Sequence, residues 1–298
     1  MLRDLVGLNL LGMDLGVWSL ESPASSPSFL LMQGVIDKEK IAGNLLDLDY
    51  KTDEYLGTVY YRLAEDFSAS IRHPLRQLGR PLNRIVLVDD WFLATPSTAN
   101  VEKLIALQQE NDASLLDSGP HRVLAETIGD GLLGAAFMTP EWIVEKWNTR
   151  AEDSAALLDR YLEDPDRWEP LSPYTLAVLG YRVRKDSEQI VMALYYPDPD
   201  AADRDTGELQ KRWSSFHYDF TGRREALVPV TGSCSPLSTT VVQLESSSVL
   251  VGACSVVRSV DRDLTLGGPL LWKWLVDRGE IQFLAQDLDK LKTASGQQ

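Results

Sequence analysis

Ile85-Val86-Leu87-Val88-Asp89-Asp90-Trp91-Phe92-Leu93-Ala94 is the stretch whose reading decides the fold. Two apolar arms, rich in β-branched and aromatic side chains, flank a pair of aspartates that tolerate the conformations of a tight turn. The stretch predicts a buried antiparallel hairpin, and a buried hairpin needs further strands beside it and helices over it. Upstream, Phe29 to Val35 is an apolar run typical of a buried strand, and Asp37 caps a helix whose Ile41, Leu45 and Leu48 fall on one stripe. Tyr55 to Leu63 is aromatic and β-branched enough for one more strand. Downstream, Val101, Leu104 and Ile105 start a helix whose apolar stripe stops at Gln108, and Pro120 opens another that runs through Ile128. Leu132 to Met138 returns as a strand, and Thr139-Pro140 starts a short helix holding Trp142.

The second half follows the same grammar. Leu157, Leu158, Tyr161 and Leu162 mark a helix, after which Pro165, Pro170 and Pro173 crowd into one segment and set the expected domain boundary. Tyr174 to Val183 and Gln189 to Tyr196 read as strands, and a helix from about Pro199 to Phe216 places Ala202, Leu209 and Trp213 on one face. Thr239 to Glu245 and Val249 to Val257 form a further hairpin, Pro269 opens a helix closed by Gly279, and Ile281 to Ala285 reads as a short final strand. The expected fold is α+β: two tandem modules of antiparallel sheet covered by helices on one face. The expected division is an N-terminal segment and connector at 1–27, a first module at 28–163, a linker at 164–173 and a second module at 174–298. Both halves carry a hairpin, a helix and more strand, which suggests related modules.

Composition narrows the function. A chain of 298 residues with 44% hydrophobic content buries a substantial core. Its 29 Lys and Arg against 44 Asp and Glu give a formal charge of −15, which repels nucleic-acid phosphates and anionic membranes. No stretch reaches the roughly 20 apolar residues of a membrane helix. The start from Leu2 to Trp18 lacks the clean apolar core and cleavage site of a signal peptide.

Cys234 and Cys254 are the two cysteines, at the edges of one expected hairpin. With the turn at Ser246-Ser247-Ser248, Cys254 falls opposite about Thr240, so bridging Cys234 needs the Pro236 segment to fold back. The pair is either a disulfide, which implies an oxidising compartment, or two small buried thiols.

Several segments, taken in order, resemble an uncharacterised group of bacterial extracytoplasmic lipoproteins. They are Gly34-Val35-Ile36-Asp37 leading into Ile41, Asp49-Tyr50, Tyr55-Leu56-Gly57 with Val59-Tyr60, and Asn83-Arg84-Ile85 before the hairpin. The helix carrying Trp213 and the ending from Asp277 to Leu284 are similar to the same group. The resemblance implies an exported protein with a lipidated cysteine near its start, hence peripheral membrane association through an N-terminus upstream of Met1; a cytoplasmic chain is the alternative. It supplies no catalytic residue.

The polar groupings point away from catalysis. Gly129-Asp130-Gly131-Leu132-Leu133-Gly134 matches G-x-G-x-x-G, but a helix precedes it and a strand follows, the reverse of the dinucleotide fingerprint. His73, His121 and His217 stand in three unrelated contexts without metal-site spacing. Asp198, Asp200, Asp203, Asp205 and Glu208 offer hard oxygens for Ca²⁺, yet the order fails as an EF-hand and fits a helix N-terminus. No metal and no cofactor is expected. Trp272 and Trp274 are two apart on one helix and cannot share a face. Arg72, His73, Arg76, Arg80 and Arg84 concentrate positive charge in an acidic chain; they are the expected contact surface for an anionic partner surface or lipid head group, the alternative being an ordinary charged loop that neutralises nearby acids. The expected function is a non-enzymatic extracytoplasmic binding or assembly component with a protein partner. The alternatives are a small-molecule or lipid carrier with a cleft between the modules near the 164–173 linker, and a hydrolase whose site assembles from scattered acids.

Overall fold

The computed structural model describes residues 6, 13–19, 29–68, 80–110, 119–129, 131–148, 168–184, 187–219, 227–229, 233–257, 268–277 and 281–286. The fold is α+β and comprises two units, Met1–Ala113 and Ser114–Gln298, each with its own antiparallel sheet.

In the first unit the strands are β1 (Met13–Ser19), β2 (Phe29–Gly34), β3 (Lys51–Tyr55), β4 (Thr58–Arg62), β5 (Arg84–Val88) and β6 (Trp91–Thr95), ordered β1-β2-β6-β5-β4-β3. The β5–β6 hairpin turns at Asp89 and Asp90, with Val88 opposite Trp91, as its sequence requires. Consecutive residues of a strand face opposite sides. Ile85 and Val86 are nonetheless both fully buried, so both faces of this sheet are covered. Helix α1 (Lys38–Asp47) puts Ile41 and Leu45 against Met32, Ile85, Phe92 and Ala94. Helix α2 (Thr98–Glu110) puts Val101 and Ile105 against Tyr60, Val86 and Leu93 on the other face. Asp37 caps α1 by accepting from the Lys40 amide at 3.0 Å.

In the second unit, β7 (Leu132–Met138), β8 (Leu176–Arg184), β9 (Ser187–Tyr196), β12 (Ser238–Gln243) and β13 (Ser248–Ser255) are ordered β12-β13-β9-β8-β7. A separate ribbon joins β10 (His217–Asp219) to β11 (Leu227–Pro229). Helix α3 (Gly119–Ile128) covers one sheet face through Leu124 and Ile128, against Leu176, Val178, Val191 and Ala193. The opposite face carries α4 (Pro140–Asn148), α5 (Ala201–Ser215) and α6 (Gly268–Asp277), through Ile143, Leu209, Trp213 and Leu271, on Leu179, Tyr181, Met192 and Leu194. A single 3-10 turn, Gln282–Leu284, seals that layer, with Phe283 5.2 Å edge-on from Trp213. Each large side chain so buried contributes about 1.5–3 kcal/mol relative to exposure.

Several expectations are corrected. Helices cover both faces of each sheet rather than one, because the central strands are apolar at consecutive positions. The chain divides at Ala113/Ser114, not at 164–173, and β7 pairs with β8, which places α3, β7 and α4 in the second unit. Trp168, Leu171 and Tyr174 are buried in that unit's core, so the described part of the proline-rich segment is a packed strap and not a linker. Residues 13–19 are a sheet strand and not part of a detached N-terminal segment. Tyr55 to Leu63 is interrupted by a turn at Leu56-Gly57, and 281–285 is a 3-10 turn rather than a strand. The helix expected at Leu157 to Leu162 lies outside the described residues. The two strand orders differ, so the units are wound differently.

Candidate functional site

Arg84 opens β5 immediately after the 3-10 turn Arg80–Asn83, and its side chain is only 2% exposed. A guanidinium buried this deeply needs partners for its donors. Nε donates to Thr98 Oγ1 at 3.0 Å, Nη1 to the carbonyls of Ala64 at 2.7 Å and Asn83 at 3.1 Å, and Nη2 to the Asp66 carboxylate. Asp66 also accepts from the Thr98 amide at 3.0 Å and the Thr98 hydroxyl at 3.1 Å, an acidic group at the positive end of α2. Burial lowers the Arg84 pKa, and the neighbouring Asp66 charge acts against that shift.

Asn83, also buried, completes the clamp. Its Nδ2 donates to the carbonyls of Glu65 at 2.6 Å and Pro96 at 3.2 Å, and its Oδ1 accepts from the Ala64 amide at 2.9 Å. The loop between β4 and the segment beyond Ser68 is thereby tied at Ala64, Glu65 and Asp66. At its tip the Phe67 amide donates to the Pro96 carbonyl at 2.9 Å and the Ser68 amide to Glu65 at 3.1 Å. Phe67 has φ +57° and is 55% exposed. A bulky L-residue in the left-handed region costs about 1–2 kcal/mol and faces a solvent that does not reward an apolar ring. The Ser68–Glu65 bond makes 65–68 a β-turn with Phe67 at its third position, where a positive φ belongs to the turn, and two buried polar side chains hold that turn with its aromatic ring outward.

This arrangement revises the expected contact surface. Arg84 is an internal clamp rather than an exposed cation. Arg72, His73 and Arg76 lie outside the described residues, as does the side chain of Arg80. The clamped turn at 64–68 was not singled out in the sequence, where its one signal is an aromatic residue in a short polar loop, Ala64-Glu65-Asp66-Phe67-Ser68.

In the second unit, the acidic run at the start of α5 is engaged within the protein. Asp198 pairs with Arg204, which lowers the Asp198 pKa, and Asp203 accepts from Gln243 at 2.9 Å. Asp205 accepts from the Ser172 amide at 2.7 Å and hydroxyl at 2.9 Å. Glu208 accepts from the Glu169 amide at 2.8 Å and from Arg212 Nε at 3.0 Å. Arg212 is fully buried and donates to the carbonyls of Ala285 at 2.7 Å, Phe283 at 3.2 Å and Glu169, while its guanidinium lies 5.4 Å from the Trp168 ring centre. These contacts bind the strap at 168–174 and the segment 281–286 to α5. Among the described residues no group of three or more His, Cys, Asp or Glu side chains is gathered as metal ligands must be.

Cys234 and Cys254 are bonded, with Cα atoms 5.7 Å apart and both residues buried. The hairpin register explains how they meet. Gln243 pairs with Ser248, which puts the turn at 244–247 and Ser238 opposite Ala253; Cys234 then bridges to Val256. The expected pairing of Cys254 with about Thr240 was three positions out, because the turn is centred earlier in the chain. Carbonyl and amide bonds between Ser235 and Ser255 at 2.8 Å and between Val257 and Ser233 at 2.8 Å carry the 233–235 segment alongside β13.

The glycine motif is structural. Gly129 at φ +70° ends α3, Gly131 at φ +81° turns the chain into β7, and Gly134 lies beneath the Trp272 ring, which a Cβ would meet at 3.0 Å. The Trp272 indole donates to the Leu179 carbonyl at 2.9 Å; the Trp274 side chain lies outside the described residues. His121 packs on Phe137 at 5.6 Å, and burial lowers its pKa. No helix of the described residues is long and apolar enough to cross a membrane. No protein-family model, curated protein or solved structure matches the chain.

Proposed function

We propose that this protein is a non-enzymatic, extracytoplasmic binding component of a larger cell-surface or membrane-associated assembly. The observation that carries the proposal is the clamped loop at 64–68. A loop fixed in advance loses little conformational freedom on binding, so more of its contact energy becomes affinity. An exposed aromatic side chain on a fixed turn is of the kind that protein interfaces favour. The Cys234–Cys254 bond supports the extracytoplasmic placement, since disulfides persist in oxidising compartments.

Two measurements test the proposal. The full chain, purified from its own cells after mild cross-linking, is expected to carry a stoichiometric protein partner; recovery as a lone monomer argues against a binding role. Alkylation under denaturing conditions is expected to find no free thiol. Two free thiols in protein taken from its own cells remove the support for an exported location.

A further inference from the structure

We draw no further inference here: the strongest candidate, the outer edge of β7 with Leu133 and Phe137 exposed along it, is an apolar edge unpaired among the described residues and broken by a register shift between Leu132 and Gly134, and nothing in the structure shows what covers it.

Discussion

Methionine in place of Arg212 keeps much of the apolar stem and deletes every donor of a side chain that is fully buried. Two of the acceptors it abandons, the carbonyls of Phe283 and Ala285, belong to residues that are themselves buried, so water does not readily replace the lost bonds. An unsatisfied buried polar group costs about 1–3 kcal/mol, and breaking a buried ion pair by removing one partner about 3–5 kcal/mol. Glu208 is 12% exposed and recovers some hydration, and the Glu169 carbonyl lies on an exposed residue, so neither contributes its full penalty. The sum is near 4 kcal/mol, since losses within one network do not add. Urea unfolding followed by tryptophan emission measures it, with amide exchange over 168–174 and 281–286 reporting whether both segments loosen together. Arg212→Lys is expected to recover only part of the loss, because one ammonium does not span carbonyls that a planar fork reaches simultaneously. A destabilisation under about 1 kcal/mol, or loosening of only one of the two segments, refutes the clamp.

The remaining expectations concern separate features. Removing the disulfide by Cys234→Ala with Cys254→Ala is expected to destabilise by about 3 kcal/mol, from the loop-closure entropy of a bond with a sequence separation of 20, read as a lower thermal midpoint. Gly268→Ala drives a Cβ into the Tyr181 ring and to 2.7 Å from the Glu188 carboxylate, and overpacking of this kind costs about 1–3 kcal/mol in urea unfolding. Leu56→Asn is expected to stabilise by about 0.5–1 kcal/mol, because Leu56 sits at φ +47° in a two-residue turn with Gly57 where asparagine is at ease. Tyr174 has its pKa raised by burial, so the folded state keeps the phenol neutral while the unfolded chain ionises above about pH 10. The Tyr174 contribution is then constant below that pH and falls above it by up to about 1.4 kcal/mol per pH unit, alongside the likewise buried Tyr50 and Tyr196, so Tyr174→Phe is expected to reduce the combined slope in unfolding curves at pH 9, 10 and 11.

The strands that drew on both faces of a sheet were legible in the sequence, because apolar runs such as Ile85 to Val88 and Ile190 to Leu194 leave few alternatives. The helix starts at Asp37 and Thr139 were legible for the same reason: each combines a capping side chain with an apolar stripe. Leu56-Gly57 was not, since leucine at the first turn position disguised a hairpin as one continuous strand. The domain boundary failed through composition. Pro165, Pro170 and Pro173 suggest a linker, but Trp168 and Leu171 alternate with them and are drawn into the core, where Asp205 and Glu208 receive the strap's amides. Those carboxylates lie more than thirty residues away in sequence, and no local pattern announces them. The disulfide stays open in the sequence because register depends on where the turn falls, and three positions of register decide whether the sulfurs meet.

Four non-glycine residues have a positive φ: Asp49, Leu56, Phe67 and Asp89 among the described residues. The aspartates are ordinary, as their short polar side chains suit the left-handed region. Leu56 is explained by its hairpin, whose Tyr55–Thr58 pairing leaves two residues to turn, and Gln109 steadies it by donating to the Leu56 carbonyl at 3.0 Å. Phe67 is the third residue of a β-turn closed by the Ser68 amide and the Glu65 carbonyl, a position where a positive φ belongs to the turn, and the turn is tied down by the buried side chains of Asn83, from the 3-10 turn, and Arg84, from β5. A smaller or more polar residue would satisfy the same backbone with less strain. Leu56→Asn and Phe67→Gly are therefore both expected to hold or raise the thermal midpoint, since each relieves a left-handed backbone at an exposed position without touching the core.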